Sequence, residues 1–459
     1  MCIKWIDYYR CGLNGAARPV AAAAGTTADT TSATATITAV TRGAAAAVRW
    51  ASVFVSAFEG LVEYASTVTK VTTTRAPSEA RSKPHHVFSS DGTKTQRFRN
   101  IHPSWDSHYD GSIFPILFRV LWMKVTGNLP TLDTSSHTIP IQKTSFLASR
   151  HTPSGKLRAT WLGHACYYLE FPSGIRVLFD PVFEDHCAPT FFGGLLGLGP
   201  KRYTSPPCAI SDLPAVDAVV ISHSHYDHLS APSIQKIKKH HPNAHYFVGL
   251  GLGKWFTKTG RIDSGKVTEM DWWDDVDLTL DNAAGQSIMQ ARISCLPAQH
   301  SSGRTPFDKV TTLWCSWAVS SGEKSAYFAG DTGYRALSLS NPIKPSADGI
   351  PYSSVNHLPV CPSFAQIGSL RGPFDVGLIP IGAYKPRQYM SCVHSSPEDA
   401  VQIFRDTRCE RGLEMHWGTW ALTFEEVDEP PRLLREALRD RGMEEGVFGV
   451  VGIGKTGEF

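Results

Sequence analysis

Residues 219–229 read VVISHSHYDHL, an apolar run that gives way to His223, His225, Asp227 and His228. Three imidazoles and a carboxylate within six residues supply the nitrogen and oxygen donors that suit zinc or a similar divalent ion. Alternation sorts them. In an extended segment leaving a strand, His223 and His225 project to one side and can share an ion, while Asp227 and His228 lie past the turn and reach a second. The ordinary alternative, a polar loop with hydrogen-bonded histidines, is disfavoured by so many donors directly after an apolar strand. Two ions need more ligands than this loop carries, and other strand ends offer them. Residues 293–296 run into PAQH ending at His300, residues 326–329 into Gly330-Asp331-Thr332-Gly333, and residues 413–415 into His416-Trp417-Gly418-Thr419. Each is weak alone. Four such ends from one α/β domain are stronger, because loops at one sheet edge are where sites are assembled.

The elements that must position these residues are legible from about residue 160 onward. Apolar runs of strand length occupy 160–171, 175–179, 218–222, 245–249, 294–296, 313–319, 326–329 and 376–381. Helices interleave. Ser396 has the character of an N-cap, followed by Pro397 at the first helical position and by Glu398 and Asp399 in the first turn, leading a helix over 400–408. Leu433, Leu434, Ala437 and Leu438 mark the apolar stripe of another, stopped by Gly442. No repeat of solenoid period is present.

Upstream the composition changes. Residues 14–48 are dominated by Ala, Thr, Ser and Gly, and residues 1–95 read as a low-complexity extension ahead of a catalytic domain at 96–459 with its core at about 158–452. The acid-poor tail with scattered arginines has the composition of an organellar transit peptide, or equally of a tail with no address. Residues 44–65 carry Val48, Trp50, Val53, Phe54, Phe58 and Leu61 near helical spacing. Arg49, Glu59 and Glu63 make that stretch a poor spanning helix, so interfacial contact or docking on the domain fits better. A run at 113–125, IFPILFRVLWMKV, is too short to span and reads first as a core helix, with membrane or homodimer contact as alternatives.

Across all 459 residues, 42% hydrophobic and 19% charged describe a soluble globular composition and exclude a collagen, a coiled coil and a wholly disordered chain. Forty-five basic against 42 acidic residues leave a net charge of +3, too little to recommend nucleic acid as a partner. The ten cysteines form no Cys-x-x-Cys pair; their scatter through apolar strands excludes a disulfide framework and fits a reducing, intracellular compartment.

The HSHYDHL loop, followed in order by His300, Asp331 and His416, resembles the metallo-β-lactamase superfamily pattern over roughly residues 160–452. The runs TWLGHACYYLEF, LFDPVF, GPKRY, PAQH, GDTGYR, LIPIGAYKPRQYM, VHSSPEDAV and MHWGTWAL narrow the resemblance to the N-acyl-phosphatidylethanolamine-hydrolysing phospholipase D family. FRNIHPSW at 98–105 is similar to that family's segment ahead of the catalytic domain. The resemblance implies an αββα sandwich holding two Zn2+ per chain. His223, His225 and His300 would hold one zinc, Asp227, His228 and His416 the other, and Asp331 would bridge them. Two neighbouring cations lower the pKa of a shared water, giving hydroxide near neutral pH, and clamp the phosphoryl oxygens of an in-line displacement. The implied reaction converts N-acyl-phosphatidylethanolamine to N-acylethanolamine and phosphatidic acid at a membrane surface, with Asp331, Asp227 and His394 as the catalytic set.

The resemblance also places Tyr226 and His394 at the substrate, where His394 would bind phosphate or protonate the leaving alkoxide; capping or packing at a helix start is its bland alternative. Asp180 is expected to orient a ligand or close a turn, and His164 to be structural or one shell removed from the ions. Residues 301–304, Ser-Ser-Gly-Arg, and Val393 depart from the family pattern at positions expected to face the substrate. An insertion at about 337–372 is a lid or a surface loop. Residues 191–199, FFGGLLGLG, trailed by Lys201 and Arg202, form an apolar membrane entrance or a buried gap-filling loop. Two other readings stand beside the phospholipase: a hydrolase of another phosphodiester or a lactone on the same fold, and a non-catalytic membrane adaptor. The expected location is intracellular and membrane-associated, with a mitochondrial address suggested by the tail.

Overall fold

The computed structural model describes residues 64–107, 134, 139–150, 154–188, 200–282, 284–305, 307–337 and 352–459. The expectations for 14–48, 113–125, 191–199 and nearly all of 44–65 lie outside the described residues.

Along the chain the strands are β1 (Ala65–Lys70), β2 (His86–Phe88), β3 (Thr95–Phe98), β4 (Arg158–Gly163), β5 (Cys166–Glu170), β6 (Arg176–Phe179), β7 (Ala218–Val220), β8 (His245–Gly249) and β9 (Val267–Met270). They continue as β10 (Asp275–Asp281), β11 (Ser287–Leu296), β12 (Ser316–Ser321), β13 (Lys324–Phe328), β14 (Phe374–Pro380), β15 (Cys409–Met415), β16 (Phe448–Gly449) and β17 (Thr456–Glu458). The helices are α1 (Ala231–His240), α2 (Gly253–Lys258), α3 (Ser363–Leu370), α4 (Arg387–Met390), α5 (Pro397–Asp406) and α6 (Glu429–Arg439). One sheet has the order β1-β10-β11-β12-β13-β14-β15-β16, the other β17-β4-β5-β6-β7-β8-β9, and β2 and β3 form a separate hairpin. In each large sheet an antiparallel half passes into a parallel half, β13 to β16 in one and β6 to β9 in the other.

The inner faces of the two sheets share one core that includes Trp161, Phe179, Ile293, Trp317 and Phe328, with Phe179 and Phe328 stacked at 4.5 Å between centroids. Outside the second sheet, Ile234 and Ile237 of α1 and Phe256 of α2 cover Leu178, Val219 and Ile221. Outside the first, α5 buries Ala400, Val401, Ile403 and Phe404. The result is the αββα sandwich that the resemblance implies.

Differences from the expectation have local causes. The run 160–171 is a hairpin rather than one strand: β4 and β5 pair antiparallel, and the chain turns at Gly163 and His164, both at positive φ. Of the insertion, α3 is a core helix with Phe364 and Ile367 buried, and Tyr352 Oη takes a hydrogen bond from Arg335 Nη2 at 2.7 Å. The strands also reach past the expected limits. β1, within the expected extension 1–95, pairs with β10 along its whole length, from Ala65 opposite Asp281 to Lys70 opposite Val276, and β17, inside the expected domain 96–459 but beyond its core at about 158–452, pairs with β4. The α5 start is as expected, with Ser396 Oγ accepting from Asp399 N–H at 3.4 Å.

Candidate metal centre

The candidate ligands follow the ends of four strands: the 223–228 group after β7, His300 after β11, Asp331 after β13 and His416 after β15. Two features make those ends tight. Gly330, at φ 59°, lies so close to Ser222 that a Cβ would stand 2.7 Å from the serine Cβ, so the chain entering Asp331 has no room for a side chain. His164, Asp180 and His416 all hold positive φ, at 53°, 38° and 65°, a conformation that non-glycine residues adopt chiefly where the surroundings impose it.

The donors gather into two groups that meet at Asp331. In one, His223, His225, His300 and Asp331 offer ligand atoms within 4.8 Å of one another; in the other, His164, Asp227, His228 and His416 do the same. Asp331 joins them. Its Oδ2 lies 3.1 Å from His228 Nε2, 3.7 Å from His300 Nε2 and 3.8 Å from His223 Nε2, and its Oδ1 lies 3.0 Å from His416 Nε2. Asp227 Oδ2 is 3.4 Å from both His228 Nε2 and His416 Nε2. Thus the seven residues expected as ligands come together in the sorting that alternation indicated.

Hydrogen bonds around the cluster fix the rings. His300 Nδ1 donates to Val393 O at 2.9 Å, which leaves Nε2 as a lone pair facing the cluster. Asp180 accepts His228 Nδ1–H at 2.7 Å, Ser222 N–H at 2.7 Å and the Ser222 hydroxyl at 2.5 Å. Because that hydroxyl spends its only proton on Asp180, His223 Nδ1, 2.9 Å from Ser222 Oγ, must be the donor there. Its Nε2 is then a second inward lone pair. It meets His225 Nδ1 at 2.7 Å, with His300 Nε2 3.3 Å from the same nitrogen. Three ring nitrogens so converge where a single proton can satisfy only one pair. His228 Nε2, His416 Nε2 and Asp331 Oδ1 are buried and make no hydrogen bond, although each ring nitrogen lies within 3.1 Å of an Asp331 carboxylate oxygen, His228 of Oδ2 and His416 of Oδ1. Buried donors this close and left without hydrogen bonds are what a shared cation would satisfy; the residues fit a divalent metal.

Electrostatics agrees. Burial lowers His223, His225 and His300, the neutral form that a metal requires. Burial also opposes charge on His228 and His416, yet Asp331 and Asp227 outweigh it, raising His228 well above the usual range and His416 to about 9. A centre that pulls in protons this way attracts any cation.

Residues beside the cluster sort differently. Burial pushes His394 down to about 3, its Nε2 stands 4.0 Å from Asp331 Oδ2, and its Nδ1 is buried without a partner. Arg387 holds the His394 loop, with Nη1 donating to His394 O at 3.0 Å and Nη2 to Asp399 Oδ2 at 2.9 Å. Tyr226 is half-buried, with the Arg304 guanidinium 3.8 Å from its ring centroid. Asp180 orients His228, as expected. His164 Nε2 is 3.0 Å from Asp227 Oδ2, at the tip of the β4–β5 hairpin, beside a candidate ligand as expected. Sequence reasoning missed Arg387, and also Asn100, whose Nδ2 donates to His300 O at 2.7 Å. Both lie inside motifs that carry the resemblance, LIPIGAYKPRQYM and FRNIHPSW, and that was the available signal.

Comparison with known proteins gives this geometry a lineage. Residues 175–346 match the beta-lactamase superfamily domain. The chain is 37% identical over 294 residues to N-acyl-phosphatidylethanolamine-hydrolyzing phospholipase D 1 of Caenorhabditis elegans, covering 63% of this chain and 72% of that one. The chain belongs to the N-acyl-phosphatidylethanolamine-hydrolysing phospholipase D family. An uncharacterised Mycobacterium tuberculosis protein is 36% identical over 288 residues, covering 62% of this chain and 65% of its own. The Saccharomyces cerevisiae protein named N-acyl-phosphatidylethanolamine-hydrolyzing phospholipase D, mitochondrial, is 30% identical over 286 residues, covering 62% and 52%. Family membership makes the protein a metal-dependent hydrolase of the metallo-β-lactamase superfamily. Among the described residues no helix is long and apolar enough to cross a membrane.

Proposed function

We propose that this protein is a zinc-dependent phosphodiesterase of phospholipase D type that hydrolyses N-acyl-phosphatidylethanolamine to N-acylethanolamine and phosphatidic acid. The observation that carries the reading is Asp331, buried between two groups of histidine and carboxylate donors and within 3.1 Å of a ring nitrogen in His228 and in His416. In this reading His223, His225 and His300 would hold one ion and Asp227, His228 and His416 the other, with Asp331 available to both. Two divalent cations there supply the charge that polarises phosphoryl oxygens and makes water nucleophilic near neutral pH. In the overall reaction the water oxygen joins phosphorus, the bond to the N-acylethanolamine oxygen breaks, and that oxygen leaves with a proton.

The chain's own groups then have limited tasks. The hydrogen bonds from His300 to Val393 O, from His228 to Asp180 and from His223 to Ser222 hold three lone pairs inward. Burial keeps His394 neutral, so it serves as an N–H donor to a phosphoryl oxygen and not as a charged acid. Tyr226, inside the ligand-bearing loop, is assigned to the substrate in the same reading. A membrane phospholipid is the substrate class that the named relatives favour over a soluble diester or lactone.

Metal analysis combined with lipid product identification tests the proposal. The purified chain is expected to hold about two zinc and to release N-acylethanolamine and phosphatidic acid in equal amounts, with Asp331→Asn losing both metal and turnover. Turnover of a lactone or a soluble phosphodiester in place of the lipid would overturn the substrate assignment.

A further inference from the structure

His394 lies in the loop at 391–396 that joins α4 to α5. Its Nε2 stands 4.0 Å from Asp331 Oδ2, and its buried Nδ1 has no hydrogen-bond partner, so the main chain must place the ring. That main chain is tied at successive residues. Gln299 Nε2 donates to Cys392 O at 3.0 Å, His300 Nδ1 to Val393 O at 2.9 Å, and Ser395 N–H to Thr332 O at 2.7 Å. The carbonyl of His394 itself accepts from Arg387 Nη1 at 3.0 Å.

Arg387 has a second anchor, its Nη2 donating to Asp399 Oδ2 at 2.9 Å. The other oxygen of that carboxylate accepts from Arg335 Nε at 2.9 Å, and Arg335, four residues after Asp331, also donates from Nη1 to Val355 O at 2.8 Å and from Nη2 to Tyr352 Oη at 2.7 Å. The Asp331 loop, the His394 loop and the turn at 352–355 in the insertion therefore meet on one carboxylate. An acid in the first turn of a helix is ordinarily a solvated group that the helix dipole favours. Asp399 is 1% exposed between two guanidinium groups, a position whose desolvation only close pairing offsets. Arg387 spans two fixed points, His394 O and Asp399 Oδ2, with two nitrogens of one planar group. A lysine ammonium, a single point charge, does not reproduce that span.

We propose that Arg387 is a positioning residue for diester hydrolysis, setting His394 against the metal centre through the His394 carbonyl, with Asp399 as its fixed anchor. The inference rests on the phosphodiesterase reading, in which His394 donates to a phosphoryl oxygen. Among the described residues Arg387 bonds none of the seven candidate ligands, so its loss frees the 394 peptide without touching the donors of the metal. A shift of about 1 Å at a group that contacts the reacting phosphoryl costs about 100-fold in rate.

A double-mutant cycle on the zinc-loaded full chain tests this, with turnover read on N-acyl-phosphatidylethanolamine in detergent micelles and on bis(p-nitrophenyl) phosphate. Arg387→Lys, which keeps a cation for Asp399, is expected to retain its zinc and to lower kcat about 10- to 100-fold with KM within about threefold of wild type. In a His394→Ala background the same substitution is expected to cost less than about twofold, because the residue it acts through is gone. The crystal structure of zinc-loaded Arg387→Lys is expected to show His394 displaced and the seven candidate ligands in place, a readout that needs no turnover. Equal losses in the two backgrounds, loss of zinc from Arg387→Lys, or an unmoved His394 overturns the proposal. A wild type that cleaves bis(p-nitrophenyl) phosphate but not the lipid removes the lipid assignment alone, and the cycle is then read on that diester. A wild type that cleaves neither sinks the proposed reaction and this role with it.

Discussion

His228 shows how much a single carboxylate beyond the ligands decides. Its Nδ1–H goes to Asp180, and Asp180 also takes both the amide and the hydroxyl of Ser222, whose side chain in turn orients His223. One residue therefore aims a histidine in each donor group. Asp180→Ala is expected to weaken metal retention about 10- to 100-fold, measured by titrating the protein with a chelating dye; retention within twofold of wild type would remove Asp180 from this role. The candidate ligands themselves were legible because H-x-H-x-D-H after an apolar strand places donors on two sides of a turn. His164 was legible as a residue beside the ions, but the β4–β5 hairpin that brings it to Asp227 was not, because TWLGHACYYLEF has the apolar pattern of one continuous strand.

At the scale of elements, the β2–β3 hairpin is fastened by a buried cluster. His85 Nε2 and His86 Nε2 lie 2.8 and 2.9 Å from the two oxygens of Asp271, with Lys83 Nζ 2.9 Å from Oδ2. From that hairpin the chain runs on through Phe98, whose N–H donates to Val310 O, to Asn100 on the His300 carbonyl. Burial opposes the charge on Asp271, but the bonds from His85 and His86 outweigh it and hold the carboxyl well below its usual range. Burial lowers His85. Both folded-state values lie below the unfolded ones, so both contributions are complete at neutral pH and are lost on acidification. The His85 share falls from about pH 6.5 downward and the Asp271 share from about pH 4. Hydrogen exchange across 86–98 is expected to speed up as pH falls through that window, after correction for intrinsic rates, and to lose this dependence in Asp271→Asn. The variant's thermal unfolding should show a loss of roughly 3 kcal/mol; a pH-independent hairpin in the wild type would contradict the clamp. These elements were hard to read because β1 and β10 bury only one face. In DVDLTLD, Val276, Leu278 and Leu280 turn inward while acids and threonine face outward, so the apolar runs that mark the central strands are absent.

Across the whole molecule, strand ends from both sheets supply the donors, so ligand binding joins the two layers. Loaded protein should unfold at higher temperature than stripped protein by the linkage free energy, about 4 kcal/mol when free metal is a thousandfold above its dissociation constant. A chelator-independent melting curve would contradict that coupling. The collinear motifs made the sandwich and its family legible; the N-terminal limit and the end of the core were not, because β1 and β17 are short edge strands that gain their place only by pairing with β10 and β4. The central claim, two cations sharing Asp331, is tested most directly by anomalous scattering from crystals grown with zinc. Two peaks per chain are expected, one among His223, His225 and His300 and one among Asp227, His228 and His416, each beside Asp331. A single peak, or zinc at His85, His86 and Asp271 with none at Asp331, would contradict it.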